Sequence, residues 1–73
     1  MNQMPVLDRV MDILKEDYPL AKPDDTFAAM GMDSLDYLAM VCVVERRFGA
    51  DVPRGTHFDR PMDIVAWLEE VRP

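Results

Sequence analysis

Serine, cysteine and histidine each occur once in this chain, as Ser34, Cys42 and His57. A serine hydroxyl becomes a working nucleophile only when a nearby base takes its proton and a third group holds that base. His57 lies in a different segment from Ser34, and no triad-like spacing links the two. Cys42 has no base at a useful spacing either, so its ordinary role is a small apolar filler. One histidine and one cysteine are too few for a zinc site, and Asp24-Asp25 reads as turn chemistry rather than a metal site. Glycine-rich phosphate loops and EF-hand spacing are absent from the sequence. The residues therefore predict no catalytic group and no metal ligand set.

Ser34 stands where the sequence opens a helix. With Asp33 as N-cap, Asp36 falls at the third helical position and the two imitate a capping box. Ser34 is then the first helical residue, its hydroxyl free of capping duty and turned to solvent. A helix start offers unpaired N–H groups and partial positive charge, a favourable place for a phosphate ester. Serine is common at the N-cap, so local chemistry alone favours the other reading, in which Ser34 is the N-cap itself.

The elements that position this residue are set by the prolines and the apolar spacing. Pro5 fits the first turn of a helix in which Val6, Val10, Ile13 and Leu14 share one face and Asp8, Asp12, Lys15 and Glu16 lie on the other. Tyr18-Pro19 ends it, because a residue before proline avoids the α region. A long connection then runs to Met32, with Leu20, Phe27 and Met30 as its available anchors. The second helix runs from Asp33-Ser34 to Phe48-Gly49. Thr56 and Asp59 resemble a capping box over one short helix at 56–60, and Pro61 with Asp63 opens a last helix whose inward stripe is Ile64, Leu68 and Val71, flanked by Val65 and Trp67. The expected fold is all-α: a small four-helix bundle of three main helices plus one short helix.

The second helix has one apolar face more than a core needs. Tyr37, Met40, Val41, Val44 and Phe48 form one stripe, and Leu35, Leu38 and Cys42 form another on nearly the opposite side. In so small a domain this second row reads as a docking surface; the other reading tucks part of it under the first connection.

Composition narrows the partners. With 73 residues, 8 Lys+Arg and 14 Asp+Glu, the chain has a formal charge of −6 and length for one domain spanning 1–73. Six excess negative charges disfavour nucleic acid and favour basic protein partners. No apolar run reaches a membrane-spanning length and no signal peptide opens the chain; one cysteine makes no internal disulfide. The expectation is a cytoplasmic monomer without membrane insertion.

Gly31-Met32-Asp33-Ser34-Leu35-Asp36 resembles the Gly-x-Asp-Ser-Leu-Asp signature of acyl carrier proteins. The family's layout covers essentially the whole chain, including an apolar residue where Phe27 stands. Glu45-x-x-Phe48-Gly49 and Val52-Pro53 resemble the stretch that closes the family's second helix and leads away from it. The resemblance implies that Ser34 carries 4′-phosphopantetheine and that acyl groups ride on the arm as thioesters. It implies a separate phosphopantetheinyl transferase, which with Mg²⁺ and coenzyme A directs the Ser34 hydroxyl onto the β-phosphorus and releases the 3′,5′-nucleotide. The activating base and metal belong to that enzyme, because nothing in this chain could activate Ser34. Other implied partners are acyl-loading and acyl-using enzymes with basic patches, docking at Asp33, Leu35, Asp36, Leu38, Cys42 and Glu45. Shelter for the cargo between helices would involve Met40, Val41, Val44 and Phe58. In some relatives the neighbourhood of His57 touches the arm; otherwise His57 reads as a solvated residue.

The chain departs from the family where Arg46 and Arg47 come after Glu45 and where Ala39 stands in place of an acid, which implies a restricted partner set and a dedicated pathway. Its start methionine and short length point to a free-standing protein. Two other functions stay open: a carrier of aminoacyl or peptidyl groups, which Asp33 before the serine argues against, and an unmodified helical adaptor binding through Leu35, Leu38 and Cys42.

Overall fold

A computed structural model describes residues 4–71; residues 1–3 and 72–73 of the expected domain lie outside the described residues. Three helices succeed one another: α1 (Val6–Lys15), α2 (Ser34–Phe48) and α3 (Pro61–Val71). Among the described residues there is no strand. Helix α1 packs against both α2 and α3, whereas α2 and α3 make no close backbone approach to each other. The two long connections fill the space between them.

Amphipathic spacing explains each helix. Val10, Met11 and Leu14 of α1 are buried, with Val6, Leu7 and Ile13 partly so. Pro5 sits just outside α1 as its N-cap, and the helix stops at Lys15, ahead of Tyr18-Pro19. In α2 the inward stripe places Met40 and Val44 in the core, with Tyr37, Val41 and Phe48 packed at its margin. In α3 Ile64, Val65 and Leu68 are buried, while Val71, expected in the inward stripe, is half exposed at the helix end. Asp63, its third residue, accepts the amides of Asp59 and Arg60, both at 3.0 Å, and so satisfies donors at the helix start.

The first connection is pinned by side chains and backbone. Phe27 is buried and Met30 is partly so, but Leu20, an expected anchor, is 89% exposed. The Phe27 amide donates to the Asp59 carbonyl at 2.9 Å and the Met62 amide to the Pro23 carbonyl at 3.2 Å, tying this connection to the approach of α3.

Residues 56–60 form no helix, which corrects the expected short element. Their donors are committed elsewhere: Phe58 N–H to the Tyr37 hydroxyl at 2.9 Å, and the Asp59 and Arg60 amides to Asp63. A helical turn would need the Arg60 amide to face the Thr56 carbonyl instead. Phe58 is held as a buried anchor, its ring against Trp67 at a 5.7 Å centroid separation.

Candidate functional site: the exposed serine at the start of the second helix

Thr26 begins the local structure that presents Ser34. Its Oγ1 accepts the Ala29 amide at 3.1 Å, and its carbonyl accepts the Met30 amide at 3.2 Å, closing a tight turn. Gly31 comes next with φ +85°, a backbone conformation open to glycine at little cost, and the chain then extends into Asp33.

Asp33 is the N-cap of α2. Its Oδ1 accepts the Asp36 amide at 2.8 Å, and Asp36 Oδ2 accepts the Asp33 amide at 3.4 Å, completing the expected capping box. Ser34 is the first helical residue, is exposed, and makes no side-chain hydrogen bond among the described residues. The alternative in which Ser34 caps the helix is therefore ruled out. The amides of Ser34 and Leu35, the first two of the helix, have no backbone acceptor among the described residues and point out of its positive end. A free hydroxyl beside two free amides fits a phosphodiester built on that oxygen.

One further contact braces the cap. Tyr18 donates to Asp36 Oδ2 at 3.4 Å, reaching from the first connection. Desolvation and then the Asp36 carboxylate raise the Tyr18 phenol above its ordinary pKa. Beside Ser34 lies an open groove of about 410 Å³, whose walls include Phe27, Tyr37, Leu38, His57 and Phe58. Tyr37 packs against both Phe27, at 5.9 Å between ring centroids, and His57, at 4.9 Å. His57 Nε2 also lies 3.3 Å from Asp59 Oδ1, with both side chains largely exposed.

Outward from this groove, Asp33, Leu35, Asp36, Leu38 and Cys42 are all exposed. Leu35 is 77% and Leu38 57% accessible, so neither tucks under the first connection, and Cys42 stands on the surface rather than filling a gap. Glu45 is placed differently. It is half-buried, and its Oε2 accepts the Val52 amide at 2.7 Å, so its carboxylate holds the second connection onto α2. Met40, Val44 and Phe58 are buried in the core and Val41 is partly buried; of these four, Phe58 alone lines the groove beside Ser34. Among the described residues no group of three or more His, Cys, Asp and Glu side chains could hold a metal ion.

The sequence reading missed the Tyr37 hydroxyl as the acceptor for Phe58 and the Glu45 carboxylate as a clamp. One signal was available: a tyrosine on an inward stripe must find a partner for its hydroxyl. For Glu45 no local signal existed, because Val52 lies beyond the helix end.

A family model described as a phosphopantetheine attachment site matches residues 5–61. The chain belongs to this family, whose members are carrier proteins that take a 4′-phosphopantetheine arm covalently on a serine rather than enzymes with a catalytic centre. A search among curated proteins gave no match. No helix of the described residues is long and apolar enough to cross a membrane.

Proposed function

We propose that Ser34 is the attachment point of the arm, and that the chain is a single acyl carrier domain spanning 1–73 that delivers acyl thioesters to enzymes of a dedicated fatty-acid, polyketide or related pathway. One observation carries the assignment: the chain's single serine stands outside its own helix cap, exposed and without a partner among the described residues. When bound, the arm supplies a terminal thiol on which cargo is held at high effective concentration for a docked enzyme.

Everything the chain contributes is positional. Asp33 and Asp36 fix the first turn, leaving the Ser34 oxygen free for a phosphopantetheinyl transferase that brings its own base and Mg²⁺. Leu35, Leu38 and Cys42 form the apolar part of the docking face, and Asp33 and Asp36 its acidic border, where charge steers and orients a basic partner more than it adds affinity. Met40, Val41, Val44 and Phe58 would have to part to shelter an acyl chain, and the adaptable Met40 side chain suits that movement. The carrier works as a cytoplasmic monomer, without nucleic acid.

Incubation with coenzyme A, Mg²⁺ and a promiscuous transferase tests the assignment by intact mass. A single phosphopantetheine adduct, absent in Ser34→Ala, supports it. An unchanged mass, under conditions that load a control carrier, replaces it with the unmodified adaptor.

A further inference from the structure

On a helix that turns 100° per residue, Leu35, Ala39, Cys42 and Arg46 fall within about 60° of one another and form one outward line, with Leu38 beside it. All five are exposed. The line therefore begins beside the acidic turn of Asp33 and Asp36 and ends on a cation. About 18 Å separates Ser34 from Arg46 along the axis, at 1.5 Å per residue.

Among the described residues, no carboxylate lies within ion-pair distance of that cation, although Glu45 and Asp51 line the same shallow depression. The carboxylate of Glu45, the adjacent acid, is engaged by the Val52 amide at 2.7 Å. Arg47 is also exposed, so the far end of the helix is positive while its start is negative.

Resting on the carrier reading, we infer that the outer face of α2 is a two-signed docking strip whose partner is an enzyme with a basic cluster at the Ser34 end, an apolar seat for Leu35 and Leu38, and a carboxylate facing Arg46. A partner with a uniformly basic face would meet Arg46 as a like charge, which disfavours it and sets register along the helix. The strip thus selects as well as attracts.

The test uses holo protein and the thioester-forming loading enzyme, purified from the source cells by its ability to acylate that holo protein. Arg46→Glu is expected to lower kcat/KM for loading by about tenfold, Arg46→Gln by about two- to fivefold, and Arg46→Lys by less than about twofold. Added salt narrows the gap between wild type and Arg46→Glu, since the effect acts through exposed charges. Changing the enzyme's facing carboxylate to lysine restores loading of Arg46→Glu. Circular dichroism of each variant confirms that α2 is intact. Loading of Arg46→Glu and Arg46→Gln at or above the wild-type rate overturns the inference and leaves the carrier assignment standing. Failure of the wild-type chain to take the arm at all ends the carrier assignment itself.

Discussion

The two ends of α2 are held in opposite ways. At its start, the capping box closes between Asp33 and Asp36, residues three apart, and Ser34 between them is left without a task. At its end, the backbone turns through Gly49 at φ +62°, and remote groups take over. Arg9 of α1 donates to the Arg47 carbonyl at 3.2 Å and lies 4.2 Å over the Phe48 ring, and Glu45 holds Val52. A residue that must be reached by other enzymes gains from a cap closed between sequence neighbours, to which the first connection adds the Tyr18 hydroxyl. The other end gains from being tied down, because α2 otherwise makes no close backbone approach to α3.

The largest expected effect separates function from stability. Ser34→Ala should abolish arm attachment by mass while changing unfolding free energy by no more than about 0.5 kcal/mol, as for other surface positions. A clear loss of stability would mean the serine has a structural task. Next comes the clamped end: Glu45→Ala leaves the Val52 amide without its charged acceptor and should cost about 1.5–3 kcal/mol in a urea titration. An unchanged midpoint would show that water serves Val52 equally well.

The local cap is worth less. Asp33→Ala removes the acceptor for the Asp36 amide and should cost about 1 kcal/mol, which in a domain of this size lowers Tm by about 4–8 °C. If Asp33→Ala proved costlier than Glu45→Ala, the contrast between a lightly held start and a clamped end would be reversed. A comparable effect falls on Gly49→Ala. No atom lies within 4 Å of the added methyl, so only the left-handed backbone is penalised, by about 1–2 kcal/mol. A larger cost would reveal crowding at the helix end.

Legibility in the sequence tracked how local each interaction is. Asp33, Asp36 and Gly49 announced the bounds of α2 because caps and left-handed turns join residues a few positions apart. Apolar spacing located most of the buried faces of α1, α2 and α3 for the same reason. The segment 56–60 misled, since Thr56 and Asp59 have cap-like spacing but the Phe58 amide is taken by Tyr37, 21 positions earlier. Leu20 misled too: an apolar side chain in a connection is free to stay in water when Phe27 already fills the core.

The sequence by itself determined that the one serine would stand at the start of a helix, that three amphipathic helices would form, and that the chain would be acidic overall; the structure decided that Asp33, not Ser34, is the cap. Tertiary structure alone decided which charges remain available on the outer face of α2. Glu45 and Arg46 are adjacent in the chain, yet one carboxylate is bound to a backbone amide seven positions on, and the guanidinium beside it has no ion-pair partner among the described residues. Sequence spacing specifies contacts between near neighbours; the partner of a side chain at a helix end depends on where the next connection is folded.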